Sequence, residues 1–218
     1  MDTQRDDDDA GAAWDARYRA DDAPFGTGPS ATLSALFERS GLSAALSKGG
    51  RALCLADGDG RNGRWLAGRG FTVTAVDVSA LATQQAVGRD SIAGVSVARI
   101  TADLGQWRAE DSAFALVTLQ FLQGPWPLRR AALTTAGAAL APGGLLLLEG
   151  FAAREGVRDP DETLGPSRDT HRWRQSEIDT VLPDLQALSD HTAKLSLGDG
   201  PRHTGRGLVL SALRRRPG

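Results

Sequence analysis

The sequence contains very little cysteine and histidine. Among its 218 residues there are one Cys, Cys54, and three His. A single cysteine cannot form an internal disulfide, and no His and Cys residues have the spacing of metal ligands. No apolar signal segment precedes the acidic start, so we expect a protein of the reducing cytoplasm. We therefore expect no metal site and no chemistry that depends on a disulfide.

The chain also lacks a strong net charge and a long apolar helix. The formal net charge is −2, which provides no field for attracting nucleic acid or an anionic membrane. The uncharged stretch 131–148 is interrupted by Pro142-Gly143-Gly144, whereas a membrane-spanning helix needs about 20 apolar residues. We expect neither a nucleic-acid nor a membrane partner. We expect instead a small-molecule substrate, and a protein that is a monomer or a homodimer.

Charge is concentrated at the two ends of the chain. Five aspartates lie within the first nine residues, and three arginines occupy 214–216. Charged chain ends are often poorly ordered. We predict a disordered acidic N-terminus over 1–12, a single domain over 13–213 and a basic tail over 214–218.

Between the ends, apolar runs alternate with helical patterns. Continuous apolar runs are typical of central parallel strands covered on both faces. The last two strands are joined by a loop too short for a crossover helix, which makes them antiparallel. The pattern predicts an α/β, doubly wound, mostly parallel seven-stranded Rossmann-like sheet with an antiparallel C-terminal strand pair. The predicted strands are 52–56, 72–76, 95–100, 114–121, 145–149, 187–197 and 207–213; helices are predicted over 31–45, 63–69 and 128–140 and near 79 and 176.

The most informative segment is a glycine turn that follows the first strand. Gly58 and Gly60 let the backbone approach a ligand closely, since neither has a Cβ. Asp77 lies 19 residues after Gly58, at the end of the second strand. A carboxylate there can accept hydrogen bonds from two ribose hydroxyls. The order of elements predicts a nucleotide site at the end of the sheet.

The spacing alone leaves the nucleotide open. Gly58-x-Gly60-x-x-Gly63 also satisfies the dinucleotide fingerprint, so an NAD-dependent oxidoreductase is an alternative. Three features disfavour it: little chain remains for a substrate domain, the chain ends in an antiparallel pair, and Asp103 follows the third strand. There the Asp103 carboxylate suits an adenine amino group, with the Leu104 N–H facing a ring nitrogen.

Six motifs in order give a closer resemblance. The chain resembles class I S-adenosylmethionine-dependent methyltransferases, most closely the small group of tellurite-resistance and thiopurine-type enzymes. The motifs are Trp14-Asp15-x-Arg17-Tyr18, Phe25-Gly26-Thr27-x-Pro29, 57–62, 66–79, 140–144 and His203-Thr204-Gly205. The resemblance implies S-adenosylmethionine as cofactor and methyl transfer to a small-molecule acceptor: a thiol, a metalloid oxyanion or a heteroaromatic compound.

The resemblance also implies which residues contact the cofactor. Gly58 and Gly60 would border its amino-acid end, Asp77 the ribose, and Gln120 the methyl group at the exit of strand four. The full set implied is Trp14, Asp57, Gly58, Gly60, Asn62, Asp77, Val78, Asp103, Leu104 and Gln120. Asp77 and Asp103 also have local alternatives, since one can cap a helix and the other can begin a turn.

Two departures affect this site. Cys54 stands where the family usually has an acid, and Ala56 where it has a glycine. Asp57 can replace the acid from the neighbouring position, but strand alternation turns it to the opposite face unless the strand has already ended. These departures favour a third alternative, a non-catalytic S-adenosylmethionine-binding protein of the same fold.

Aromatic residues and one histidine are the candidate substrate contacts. Trp14 and Tyr18 can form a lid over the cofactor or pack their helix against the sheet. Trp126 can stack on a flat acceptor or anchor a rigid loop. His171 can act as a base or lie at the surface. The candidate substrate contacts are Tyr18, Phe25, Trp126 and His171, while Trp14 belongs to the cofactor set; no catalytic residue is assigned.

Overall fold

The computed structural model describes residues 3–38, 49–156, 159–198 and 200–218. The strands are β1 Arg51–Leu55, β2 Thr72–Asp77, β3 Val97–Thr101, β4 Phe114–Gln120, β5 Leu140–Phe151, β6 Gln186–Gly198 and β7 Thr204–Arg215. The helices of these residues are α1 Thr3–Ala20, α2 Ala31–Glu38, α3 Arg61–Ala67, α4 Ala80–Ala93, α5 Trp126–Ala139 and α6 Gln175–Val181, with a short 3-10 turn at Asp169–His171.

The seven strands form one sheet in the order β3-β2-β1-β4-β5-β7-β6. The first five in this order are parallel, and β7 is antiparallel to both β5 and β6. This confirms the predicted fold class. Because Phe151 pairs with Val209, the β6–β7 loop lies at the edge where β1, β2, β4 and β5 end. We call this the carboxyl edge of the sheet.

The apolar strands bury both of their faces. Leu53 and Leu55 of β1 belong to one core cluster, whereas Ala52 and Cys54 belong to another. Side chains alternate across a strand, so the two clusters cover opposite faces of the sheet. Continuous apolar runs are required for this arrangement. Cys54 is accordingly a buried core residue.

Both chain ends lie in regular elements. Residues 3–12 are part of α1, and this helix docks through Asp15 and Tyr18 onto the segment after β2. The disorder expected of residues 1–12 stays a prediction. The predicted basic tail begins inside β7, where Arg214 binds Asp179 and Asp190 with nitrogen–oxygen distances of 2.6 Å. These ion pairs hold the Arg214 side chain against β6 and α6, and the expected tail over 214–218 stays a prediction.

Several predicted boundaries also shift. Helix α5 begins at Trp126 rather than at 128, because Pro125 caps it and Pro127 suits the first turn. Helix α3 begins at Arg61 rather than at 63. The predicted helix over 31–45 is seen to Glu38, and the part from 39 on lies outside the described residues. No helix among the described residues is both long enough and apolar enough to span a membrane.

Candidate active site

The turn after β1 redirects the chain at Ala56. Strand β1 ends at Leu55, and Ala56 adopts a left-handed conformation with φ of 55°. The strand has therefore ended before Asp57, so strand alternation does not turn the Asp57 side chain to the opposite face. The Asp57 carboxylate turns inward and accepts the Gly63 N–H at 3.1 Å, at the start of α3.

Asp57 forms a buried ion pair with Arg99 of β3. The Arg99 Nη1 to Asp57 Oδ2 distance is 2.9 Å, and the side chains are 4% and 2% exposed. Arg99 also binds both carboxylate oxygens of Asp90, at 2.7 and 3.0 Å. Burial raises the pKa of Asp57, although Arg99 and the Gly63 N–H oppose this shift. These contacts give Asp57 the task of holding the glycine turn, so the cofactor contact expected of it stays a prediction.

Sequence reasoning missed Arg99. A charged residue inside the otherwise apolar run of β3 was the available signal, because a buried guanidinium requires a carboxylate partner. The partner lies 42 positions away, so the pair could not be assigned without the fold.

Asp77 lies beside Gly58, as the sequence predicts. Its Oδ2 accepts the Gly58 N–H at 2.8 Å, and its Oδ1 accepts the Ser79 N–H at 2.9 Å. Burial raises the pKa of Asp77 to about 6, and these two N–H groups oppose the shift. Each carboxylate oxygen has more than one acceptor site. Asp77 therefore retains capacity to accept from hydroxyl groups of a ribose.

The two glycines of the turn are required by protein neighbours. A Cβ on Gly58 would lie 2.1 Å from the Tyr18 hydroxyl oxygen. One on Gly60 would lie 2.3 Å from Arg99 Nη2 and 2.7 Å from Ala86 Cβ. Close approach to a ligand is thus not needed to explain either glycine. Their contact with the cofactor stays a prediction.

Helix α1 lies across this turn and fastens to the start of α4. Asp15 Oδ1 accepts the Leu81 N–H at 3.1 Å and the Ser79 hydroxyl, while Gln85 donates to the Tyr18 carbonyl at 3.2 Å. A Cβ on Gly11 would come within 3.2 Å of the Val78 carbonyl oxygen. These contacts give α1 the position of a lid over the turn.

Tyr18 is the residue through which the lid reaches the glycine turn. Its side chain is buried, and burial with the nearby Asp77, Asp59 and Asp57 raises its pKa well above 10. The phenol therefore stays protonated and can donate a hydrogen bond. Trp14 packs beside it, with ring centroids 6.2 Å apart.

Two further predicted residues are joined through Ser30. The Ser30 N–H donates to Asn62 Oδ1 at 2.9 Å, and its hydroxyl donates to Gln120 Oε1 at 2.9 Å. Gln120 Nε2 donates in turn to the Leu147 carbonyl at 3.3 Å. Ser30, Asn62 and Gln120 are all buried. Gln120 is therefore held in one orientation at the end of β4.

Asp103 and Leu104 follow β3 next to Asp77. The Ala102 N–H donates to the Asp77 carbonyl at 2.9 Å, which brings the two strand ends together. The Asp103 carboxylate accepts the Gly105 N–H at 2.8 Å, as expected of a residue that begins a turn. The Leu104 side chain is buried in the core. The adenine contacts of this pair stay a prediction.

Six aromatic rings line the carboxyl edge beyond Gln120. His203 meets Phe121 at 4.3 Å, Phe151 at 5.6 Å and Phe25 at 5.9 Å between ring centroids, each edge to face. Phe25 also lies 6.1 Å from Tyr18. We call Trp14, Tyr18, Phe25, Phe121, Phe151 and His203 the ring cluster. Phe121 and Phe151 were not identified from the sequence, although Phe121 directly follows Gln120.

Trp126 and His171 lie outside the ring cluster, and the substrate contacts expected of them stay a prediction. Trp126 begins α5 and packs against the core, with the Arg129 guanidinium 5.7 Å from its ring centroid. His171 ends the 3-10 turn, and its carbonyl accepts the Gly124 N–H at 3.4 Å. Of the ring contacts within the described part of the chain, none joins Trp126 or His171 to the ring cluster. Within the same residues, no group of three His, Cys, Asp or Glu side chains is arranged to hold a metal ion.

Part of the chain is similar to a known protein family. Residues 52–144 match the sequence model of a family described as a methyltransferase domain. The matched segment runs from β1 to the start of β5 and contains the glycine turn, Asp77, Asp103 and Gln120. No curated protein is similar enough to the chain to match it.

Solved structures with the same fold cover most of the chain. One, solved for the conversion of a disulfide bond into a thioacetal group during echinomycin biosynthesis, is 18% identical with a TM-score of 0.71, over 95% of this chain and 93% of that one. A SAM-dependent methyltransferase of Methanosarcina mazei is 18% identical with a TM-score of 0.64, over 82% and 98%. TehB of Haemophilus influenzae is 15% identical with a TM-score of 0.64, over 80% and 60%.

These likenesses establish the fold, and residues 52–144 are similar to a methyltransferase domain. Together they support S-adenosylmethionine as the cofactor. The chemistry of Asp77 fits this cofactor, since its carboxylate can accept further hydrogen bonds from hydroxyl groups. The acceptor of the methyl group is not specified by any of these comparisons.

Proposed function

We propose that this protein transfers a methyl group from S-adenosylmethionine to a small-molecule acceptor, as a monomer or homodimer. The observation that carries the proposal is the position of Asp77, half-buried at the end of β2 and hydrogen-bonded to the Gly58 N–H. The match of residues 52–144 to a methyltransferase domain supports it. So does α1, which covers the same turn.

The residues of the site would bind and orient rather than move protons. Asp77 would accept the ribose hydroxyls, and Asp103 with Leu104 would contact the adenine. Gln120, fixed through Ser30, would border the methyl group. When bound, S-adenosylmethionine supplies a methyl group already activated by a sulfonium. Alignment of donor and acceptor alone lowers such barriers by about 7–11 kcal/mol.

The lid would exclude water from the transfer. Tyr18 reaches Gly58 from α1, and Asp15 ties the helix to the start of α4. Closure of this kind sequesters a reacting pair from solvent. Trp14 and Phe25 pack around Tyr18, so the three aromatic residues of the N-terminal motifs act together. The contacts among these three rings support assigning the protein to the tellurite-resistance and thiopurine-type group of methyltransferases.

A binding protein without turnover is the second candidate. Cys54, at the position where the family usually has an acid, is buried in the core. Asp57, the neighbouring acid, is occupied by Arg99 and the Gly63 N–H. The amino-acid end of the cofactor would then lack one of its usual anchors.

Calorimetric titration with S-adenosylhomocysteine and with NADH tests the cofactor. We expect S-adenosylhomocysteine to bind and NADH not to bind. Binding of NADH alone would overturn the proposal in favour of an oxidoreductase. Asp161→Ala is a matched control for Asp77 variants, because Asp161 is an exposed carboxylate paired with Arg206.

Transfer itself separates the enzyme from the binding protein. The wild-type chain is incubated with methyl-labelled S-adenosylmethionine and a panel of thiols and phenols, and label in the organic products is counted. We expect labelled product from at least one acceptor class. Tight cofactor binding with no transfer to any of them would support the binding protein instead.

A further inference from the structure

We propose that the ring cluster is the acceptor site and that the acceptor is an uncharged, planar aromatic molecule. This rests on the proposed function, since the site adjoins the Gly58 turn at one end. Tyr18 contacts Gly58 and Phe25, and Phe25 contacts His203. Phe121 follows Gln120 directly. The rings thus run from the cofactor end of the carboxyl edge to the end of β5.

The inner wall of this site is rigid. A Cβ on Gly207 would lie 2.6 Å from Phe151 Cε1, and one on Gly165 would lie 2.8 Å from Phe151 Cγ. The Phe151 ring is therefore clamped between two backbones that only glycine allows so close. Phe121 is held in the left-handed region with φ of 53°. Strain at a non-glycine residue persists where the surroundings enforce it, and such residues concentrate at ligand sites.

The outer wall is formed by two loops that meet over the rings. A Cβ on Gly200 would lie 2.3 Å from the Gly26 nitrogen, and the Arg202 N–H donates to the Pro24 carbonyl at 2.9 Å. Tyr18, Phe151 and His203 are buried, whereas Trp14, Phe25 and Phe121 are half-buried. The half-buried rings form the side of the cluster that faces solvent.

The chemistry of the walls selects against an anion. Ring edges and faces attract other aromatic rings, with centroid distances of about 4.5–7 Å. An oxyanion buried there would need a cation or several N–H donors. Arg61, which reaches this region, donates to the carbonyl oxygens of Phe25 and Gly28 at 2.6 and 3.4 Å. Asp77 and Asp59 add carboxylates to the same neighbourhood. A neutral aromatic ring needs no cation or N–H donors and is not repelled by these carboxylates.

The transfer balances with such an acceptor. A lone pair on its oxygen, nitrogen or sulfur forms the new bond to the methyl carbon. The carbon–sulfur bond breaks, and its electron pair stays on sulfur as the neutral thioether of S-adenosylhomocysteine. The proton of the acceptor heteroatom leaves to solvent.

Calorimetry in the presence of saturating S-adenosylhomocysteine tests the site. The probes are the neutral planar compounds 2-naphthol, indole and 4-hydroxyquinoline, the anion 2-naphthoate and the non-planar cyclohexanol. We expect at least one neutral planar probe to bind about tenfold more tightly than cyclohexanol and 2-naphthoate. Equal or tighter binding of 2-naphthoate or cyclohexanol, or no binding of any planar probe, would overturn the acceptor proposal.

Matched variants locate the binding. Phe121→Leu and Phe151→Leu keep apolar bulk but remove a ring, whereas Val87→Ala changes an apolar residue on α4 that is 54% exposed. We expect each Leu variant to weaken the best planar probe about fivefold, with Val87→Ala unchanged. Unchanged binding in both Leu variants would overturn the assignment to the ring cluster. Thermal unfolding confirms that each variant is folded.

The two proposals fail differently. If S-adenosylhomocysteine binds but no planar probe does, the acceptor proposal fails and the cofactor assignment stands. If S-adenosylhomocysteine itself does not bind, the proposed function fails, and the acceptor proposal fails with it.

Discussion

The two halves of the carboxyl edge are held by different forces. At the β1–β2 half, carboxylates and a guanidinium fix the glycine turn through Asp57, Asp77 and Arg99. At the β4–β5 half, rings pack edge to face around His203. Ionic and hydrogen-bonded contacts orient specific atoms, whereas ring packing defines a shape. The first half therefore suits a cofactor of fixed structure, and the second a planar acceptor.

Loss of Arg99 gives the largest expected effect on the charged half. Arg99→Met would leave Asp57 as a buried carboxylate without its cation and Asp90 with Arg64 at 3.7 Å, which destabilises the fold by about 3–5 kcal/mol. The measurement is the free energy of unfolding from urea denaturation. Arg206→Met is the control, since its side chain is 64% exposed and its ion pair stabilises by less than about 1 kcal/mol.

A second substitution tests whether the loss of stability comes from the unpaired Asp57 carboxylate. Adding Asp57→Asn to Arg99→Met removes one of the stranded charges, so we expect the double variant to be more stable than Arg99→Met alone. A double variant that loses the sum of both single effects would show that the two side chains act independently.

Stability should also depend on pH through Asp77. Its pKa is about 6 when folded and about 3.9 when unfolded, so between these values the folded protein binds the extra proton. The resulting stability is fully present below about pH 4 and is lost as the pH rises through about 6. Relative to Asp77→Asn, wild type should lose about 2–3 kcal/mol between about pH 4 and 7.

The informative quantity is how the difference in unfolding free energy between wild type and Asp77→Asn changes with pH, not its value at a single pH. Asn cannot accept both the Gly58 and Ser79 N–H groups, so Asp77→Asn carries a constant cost at every pH. The difference in unfolding free energy between the two proteins should therefore change with pH, with wild type losing its low-pH advantage as the pH rises. Parallel profiles would contradict a raised pKa at Asp77.

Cofactor affinity should fall when Asp77 is removed. Asp77→Ala deletes the acceptor for two ribose hydroxyls, and hydrogen bonds to a charged group contribute about 1.5–3 kcal/mol. We expect the Kd for S-adenosylhomocysteine to rise more than about tenfold, measured by calorimetry at pH 7.5, with Asp161→Ala unchanged. An unchanged Kd in a folded Asp77→Ala protein would exclude Asp77 from the site.

The parts of the charged half that depend on neighbouring residues in sequence were predictable. The turn at Gly58 and the carboxylate of Asp77 follow directly from two apolar strands and their spacing. The fold class follows from the continuous apolar runs. The Asp57–Arg99 pair was not predictable, because it joins β1 to β3 across β2 and depends on the strand order.

The ring half was less accessible to sequence reasoning. Phe121 and Phe151 meet because β4 and β5 are paired neighbours, and β7, antiparallel to β5, adds His203 at the same edge. The full extent of α1 was also inaccessible. Trp14 and Tyr18 indicate a helix and the acidic start suggests disorder, whereas the contacts that fix this helix join Asp15 and Tyr18 to distant elements. Tertiary contacts of this kind leave no periodic pattern in the sequence.

The smallest expected effect concerns the turn at Ala56, which aims Asp57 at Arg99. Its left-handed φ of 55° is unfavourable for a residue with a Cβ by about 1–2 kcal/mol, while glycine loses more freedom on folding. Ala56→Gly should therefore stabilise the fold by about 0.5–1 kcal/mol, seen as a higher urea midpoint at constant slope.

The reverse substitution at a matched position is the control. Gly94 ends α4 with φ of 67°, and a Cβ there would meet nothing within 4 Å. Gly94→Ala should destabilise by about 1 kcal/mol through conformation alone. If Ala56→Gly destabilises the protein while Gly94→Ala behaves as expected, then the Ala56 methyl contributes packing that outweighs its strain. The charged half would then depend on shape as the ring half does, and the contrast between them would weaken.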